Sequence, residues 1–180
     1  MRVITGTARG VVLKTPDGMK TRPTTDRVKE ALFSIIQFDL QGASVLDLFG
    51  GTGQLGIEAL SRGAKSAVFL DSQEAACSLI RENLRRTKLS EQATVIRGDY
   101  LEYLARCREK FDIVLLDPPY AEVYLENALK KLTEIDILQS GGIIVAERPA
   151  EKDLSCFFDG FTRSKDYKYG KTLLTLYRKD

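Results

Sequence analysis

The chain has 180 residues, 43% apolar and 29% charged, with a net charge of +2. That suits one globular domain able to bury a core, and no run approaches the ~20 apolar residues of a membrane span. There is no histidine, which excludes a Ser-His-Asp triad, a histidine base and most catalytic zinc sites.

Cys77, Cys107 and Cys156 are widely spaced and form no C-x-x-C pair. They suggest a reducing cytoplasm and neither a disulfide framework nor a metal site. The N-terminus lacks the apolar core of a signal peptide.

Residues 2–5 and 10–14 read as short strands of a hairpin around Gly6 to Gly10, and Pro16-Asp17-Gly18 marks a turn. Residues 1–30 carry a net charge of +4, leaving −2 for the remainder. A basic segment on a near-neutral body suits contact with a phosphate backbone, and equally a solvated charged face. Thr24 or Thr25 can cap a helix with Asp26 in its first turn, and Val28, Ala31, Leu32, Ile35 and Ile36 repeat at helical spacing. This basic hairpin-and-helix extension covers residues 1–40.

From residue 41 the pattern alternates. Strands are expected at 44–48, 66–70, 93–97, 112–116 and 142–147, with helices at 54–62, 73–87, 100–107 and 122–133. Apolar runs such as Ile113 to Leu116 and Ile143 to Val145 fit parallel strands covered on both faces. Strands alternating with helices imply a doubly wound α/β fold. Phe161 to Tyr167 and Lys171 to Tyr177, joined at Tyr169-Gly170, read as a terminal hairpin adding an antiparallel edge. The result is a mostly parallel, seven-stranded sheet in a single domain, 1–180.

The glycine loop after the first core strand organises the chain: Val45-Leu46-Asp47-Leu48-Phe49-Gly50-Gly51-Thr52-Gly53-Gln54-Leu55-Gly56. Glycines let a ligand approach the backbone, and the following helix presents free N–H groups. Gly51-x-Gly53-x-x-Gly56 matches a dinucleotide fingerprint, with Asp71 near the position of its acid. Asp47 argues against a pyrophosphate there. It suits a cofactor carrying positive charge, such as the ammonium and sulfonium of S-adenosylmethionine.

Ligands of open parallel sheets bind at the carboxyl ends of the strands. Asp47, Asp71, Asp99, Asp117 and Glu147 stand at five such ends. Asp71, with Ser72 beside it, can accept bonds from ribose hydroxyls or cap the next helix. Asp99 can hold an adenine amine, with the Tyr100 backbone against the ring, or serve as an N-cap. Glu147 can simply face solvent.

Asp117-Pro118-Pro119-Tyr120 is sharper. Two prolines remove N–H donors and stiffen the residues before them, leaving acceptors beside an aromatic ring. The complement of such a pocket is a planar group with an NH₂, either a nucleobase amine or an amide.

These residues carry a family resemblance. Asp47-x-Phe49-x-Gly51-x-Gly53 looks like the first motif of S-adenosylmethionine-dependent methyltransferases, and Asp117-Pro118-Pro119-Tyr120 like the fourth motif of amino-group methyltransferases. Arg22-Pro23-Thr24 with Asp26 to Phe33, then Val45 to Phe49 and Gly56 to Ala64, is similar to the bacterial family that methylates guanine N2 in 16S ribosomal RNA. The likeness extends to Tyr169-Gly170-Lys171-Thr172. Gly50-Gly51-Thr52-Gly53 departs from that family's usual Ala-Gly-Ser-Gly, and Asp71 from its usual Glu; both differences bear on cofactor affinity.

The resemblance implies a Rossmann-like class I methyltransferase core, with the cofactor at Asp47, Phe49, Gly50, Gly51, Gly53, Asp71, Ser72, Asp99 and Tyr100. It implies catalysis by Asp117, Pro118 and Tyr120, and RNA contacts at Arg2, Arg9, Arg22 and Thr24. It also implies a monomeric cytoplasmic enzyme, without metal, acting on 16S rRNA in a small-subunit assembly particle.

The rivals are distinguishable. A DNA adenine-N6 methyltransferase needs a target-recognition insertion after Tyr120. A protein-glutamine methyltransferase usually has Asn in place of Asp117. Asp47 disfavours a NAD oxidoreductase. A non-enzymatic RNA-binding module has no use for an acidic rim.

Overall fold

The computed structural model describes residues 1–17, 26–119, 122–151 and 158–180. Its elements are α1 (Asp26–Ile35), β1 (Ser44–Asp47), α2 (Gln54–Ser61), β2 (Ser66–Asp71), α3 (Glu74–Thr87), β3 (Ala93–Arg97), α4 (Tyr100–Arg106), β4 (Phe111–Leu116), α5 (Glu122–Glu134), β5 (Leu138–Pro149), β6 (Phe161–Arg163), β7 (Tyr167–Tyr169) and β8 (Thr172–Lys179), with one 3₁₀ turn at Ser90–Gln92.

The strands form one sheet in the order β3-β2-β1-β4-β5-β8-β6, with β7 also on β8. The five strands β1 to β5 pair in parallel, and β8 runs antiparallel to β5. Since β5 occupies one side of β8, β6 and β7 share the far side, β6 along 177–179 and β7 along 172–174. Eight strands thus fill seven positions.

The continuous apolar runs follow from burial on both faces. Successive strand residues point to opposite sides. Val45, Phe69, Ile113, Leu115, Ile143 and Val145 enter one core with α1, α2, α3 and the N-terminal segment. Leu46, Leu70, Val114, Leu116 and Ile144 enter the other with α4 and α5.

Several boundaries differ from expectation. The N-terminal hairpin has a single bridge, Arg2 to Val12, because the Ile4 and Thr5 N–H groups instead donate to Glu58 at 2.9 and 3.0 Å. β5 starts at Leu138, opposite Phe111 across a register shift, and runs past Glu147 to Pro149, so Glu147 does not end its strand. The expected strand from Phe161 to Tyr167 is broken, because Asp166 accepts from the Thr175 hydroxyl at 2.7 Å and from Arg163 and Arg148 at 2.9 and 2.8 Å. α3 begins at Glu74 with Gln73 as its N-cap. Thr24 and Thr25, the expected caps of α1, lie outside the described residues.

The N-terminal segment joins the core through a buried charged cluster on α2. Glu58 is fully buried, accepts from Arg62 Nε at 2.8 Å and lies 3.5 Å from the buried Lys29 ammonium. Lys29 also donates to the Arg2 carbonyl at 2.6 Å. Burial lowers the Lys29 pKa, and the Glu58 carboxylate partly opposes this.

Candidate functional site

β1 delivers Asp47 to the carboxyl edge of the sheet, and the glycine loop folds over it. Gly51 and Gly53 have φ of 55° and 81°, backbone that a side chain would strain. Asp47 is 1% exposed. Its Oδ2 accepts from the Gly56 N–H of α2 at 3.1 Å, and its Oδ1 has no partner among the described residues. Burial pushes this carboxyl up to about 8; the Gly56 N–H opposes that rise, and the charges of Asp117 and Asp71 add to it.

The end of β2 clips the loop in place. Asp71 Oδ2 accepts from Gly51 N and its Oδ1 from Gln73 N, both at 2.9 Å, while Gly50 N donates to the Leu70 carbonyl at 2.8 Å. Past β3, one oxygen of Asp99 accepts from Leu101 N and Glu102 N at 2.9 and 3.0 Å. One oxygen of Asp99 therefore caps the N-terminus of α4.

A cleft of about 1200 Å³ opens over this edge. Of the expected site residues, Phe49, Gly51, Asp71, Ser72, Asp99, Tyr100 and Asp117 line it, as does Pro119. Asp47, Gly50 and Gly53 are buried, and Pro118 is half-buried; none of these four lines the cleft. Tyr120, Arg22 and Thr24 lie outside the described residues. Arg2 and Arg9 are exposed on the N-terminal segment and do not line the cleft, Arg2 lying 3.4 Å from Asp26. Glu147 is half-buried and does not line the cleft.

Two parts of the lining escaped the sequence reading. The first is Lys14 to Asp17, which forms one wall. Buried Asn83 of α3 fixes it, accepting from Lys14 N at 2.7 Å and donating to the Lys14 carbonyl at 3.0 Å. Asn83 also donates to the Thr52 carbonyl in the glycine loop at 2.9 Å, so a single side chain holds both walls. A polar residue inside the apolar stripe of α3 was the available signal.

The second is Tyr124 on α5. Its ring lies edge-on to Phe49 and Tyr100 at 6.4 and 5.8 Å, and those two are 5.1 Å apart. Tyr124 falls four residues after Tyr120 in a stretch read only as helix.

The donor set defines the ligand. Among the described residues, Asp17, Asp71, Asp99 and Asp117 line the cleft against one cation, Lys14, which pairs with Glu82. Together with the partnerless Asp47 oxygen beneath the loop, this environment repels a pyrophosphate and attracts a cation. Ala75, Ala76, Leu79 and the aromatic trio supply apolar and stacking walls. The residues present therefore fit a nucleoside with a positively charged tail.

A family model described as conserved hypothetical protein 95 matches residues 1–178. The chain is 39% identical to "Putative rRNA methyltransferase YlbH" of Bacillus subtilis over 99% of both chains. It is 38% identical to ribosomal RNA small subunit methyltransferase D of Haemophilus influenzae, over 86% of this chain and 81% of that one. The solved structure of "Putative methyltransferase yhhF" from Escherichia coli superposes with a TM-score of 0.91 at 30% identity, covering 100% of this chain and 98% of the other.

Proposed function

The chain belongs to the conserved hypothetical protein 95 family, the family of the ribosomal RNA small subunit methyltransferases D, and on that premise we propose that it methylates the exocyclic N2 amine of a guanine in 16S rRNA. It is an rRNA methyltransferase of the class I fold. The methyl donor in this reading is S-adenosylmethionine, and the substrate is 16S rRNA within a small-subunit assembly particle. The whole chain acts as one monomeric, cytoplasmic methyltransferase unit. The observation that carries the reading is the meeting of Asp117 and Pro119 with the glycine loop and the acidic lining of one cleft.

Asp71, Ser72, Asp99, Tyr100 and the loop would hold the cofactor, with Asp47 beneath the loop ionising in response to its positive charge. S-adenosylmethionine, when bound, supplies a methyl group on a sulfonium, a good leaving group. The remaining difficulty is the nucleophile, whose lone pair is delocalised into the guanine ring.

The Asp117 carboxylate and the Pro118 carbonyl accept the two amine N–H bonds. This fixes the amine and localises its lone pair toward the methyl. Tyr120 stacks on the base and sets the in-line approach. Positioning and fixed dipoles provide the acceleration. No strong base is required, because the methylated amine loses its proton far more readily than the neutral one, and Asp117 stands ready to receive it.

Only twenty-one residues, 117–137, separate β4 from β5, and α5 takes most of them, too few for the insertion that a DNA adenine-N6 enzyme needs. Asp117→Ala is expected to lower kcat by ~10²-fold or more while cofactor binding stays near normal; near-wild-type turnover would remove Asp117 from the mechanism. Labelled-methyl transfer to rRNA, assembly particles and DNA, followed by nucleoside analysis, should yield N2-methylguanine in 16S rRNA. N6-methyladenine in DNA would move the assignment to the rival enzyme.

A further inference from the structure

We infer that the C-terminal half of α3 is a binding surface for the RNA phosphate backbone, continuous with the N-terminal segment and leading into the cleft. The inference rests on the rRNA reading above and adds a part of the interface that the basic N-terminus alone does not provide.

The geometry begins with how residues 12–17 lie on α3. Arg86 Nε donates to the Val12 carbonyl at 3.1 Å, Asn83 clasps Lys14, and Thr15 to Asp17 line the cleft with Ala75, Ala76 and Leu79. The segment therefore runs antiparallel to the helix, from its last turns at the far end to its first turn at the cleft. A strand of RNA following the segment passes over α3.

The charge on that strip is one-sided. Residues 81–88 contain Arg81, Arg85, Arg86 and Lys88 against one acid, Glu82. Glu82 is taken by Lys14, and Arg81 is taken by Glu74 at 3.5 Å. Arg85, Arg86 and Lys88 are exposed, and none of them has an ion-pair partner among the described residues.

The helix dipole favours cations in a last turn, which accounts for some of this charge. It does not account for Lys88 beyond the helix, nor for three cations without an ion pair among the described residues beside a basic hairpin. An unneutralised cationic strip leading to an acidic cleft is the complement of a polyanion whose base enters the cleft while its backbone stays outside. Val12, 58% exposed beside Arg86, adds an apolar surface for a ribose or base.

The test is the double variant Arg85→Gln/Lys88→Gln, which spares the Arg86 contact with Val12. Binding of a 16S rRNA fragment is titrated at several salt concentrations, with S-adenosylmethionine binding as the control for folding. The expected outcome is RNA affinity weakened by roughly 5–10-fold and a log K against log salt slope shallower by about 1.5, with cofactor affinity unchanged. Arg106→Gln/Arg108→Gln at the end of α4, on the opposite face of the sheet, should leave both unchanged.

An unaltered slope in the α3 variant would overturn the surface, as would an equal loss in the α4 variant. Weakened binding to assembly particles but not to naked rRNA would also overturn it, pointing to an acidic protein partner. Wild type that transfers methyl to rRNA while the α3 variant behaves normally rejects the surface alone; wild type inert on rRNA rejects the surface and the functional reading together.

Discussion

Glu58 and Asp47 are carboxylates sealed from solvent to the same degree, 0% and 1% exposed, on adjoining elements of one fold. Glu58 is surrounded by donors: two backbone N–H groups, the Arg62 guanidinium and the Lys29 ammonium. Among the described residues, Asp47 has one N–H donor, one oxygen without a partner, and other carboxylates for neighbours. A buried charge costs several kcal/mol unless its surroundings compensate it. At Glu58 the protein supplies that compensation, and the carboxylate clasps the N-terminal segment to α2. At Asp47 the compensation is missing, and an incoming cation can provide it. The difference separates a compensated carboxylate from an uncompensated one where burial alone cannot.

The largest test of this contrast is Glu58→Gln. It leaves the Lys29 ammonium buried without an anion and should cost about 3–5 kcal/mol in chemical denaturation. A loss below about 1 kcal/mol would break the comparison from the structural side.

Asn83→Ala comes next. It removes three hydrogen bonds to part-buried backbone groups of Lys14 and Thr52, a loss of about 1–2 kcal/mol. Cofactor affinity should fall with stability, because the same side chain holds both cleft walls. Unchanged cofactor binding would mean that those walls keep their places without it.

Asp47→Asn should act in the opposite sense to Glu58→Gln. In the wild type the folded carboxyl titrates at about 8, whereas an unfolded aspartate titrates near ~3.9. Between those values the folded state holds a proton that the unfolded state has lost. Stability is therefore full below ~4 and declines as pH rises toward 8, by up to about 1.4 kcal/mol per unit. Asparagine abolishes this decline, so the ligand-free variant should match or exceed the wild type in denaturation at pH 8.

The smallest effect sharpens the same point. A cationic cofactor prefers ionised Asp47, so its binding releases a proton and its affinity should rise from pH 6 to 8. By calorimetry Asp47→Asn should show a flat profile and affinity reduced by about tenfold. A pH-independent wild type would detach Asp47 from the cofactor.

Much of the fold was legible because its signals are local. The apolar runs at Val68 to Leu70, Ile113 to Leu116 and Ile143 to Val145 marked buried strands, and the glycine loop and Asp117-Pro118-Pro119 marked the edge where the cleft opens. The misses involve partners distant in sequence. Glu58 draws the N–H groups of Ile4 and Thr5 away from a strand ladder across more than fifty positions. Asp166 breaks the last hairpin by reaching Arg148 and Thr175. Asn83 reaches Lys14 across sixty-nine positions, and nothing near it in sequence marks that partner.

The sequence by itself determined the alternation of strands and helices, the family motifs and the acids at the strand ends, because side-chain period, turn chemistry and motif spacing act over a few residues. Only the tertiary structure decided which acids face the cleft, which lie beneath it and which cap helices. It alone brought residues 12–17 alongside α3. Burial, electrostatic environment and hydrogen-bond partnership depend on what packs against a residue, and those neighbours come from distant parts of the chain.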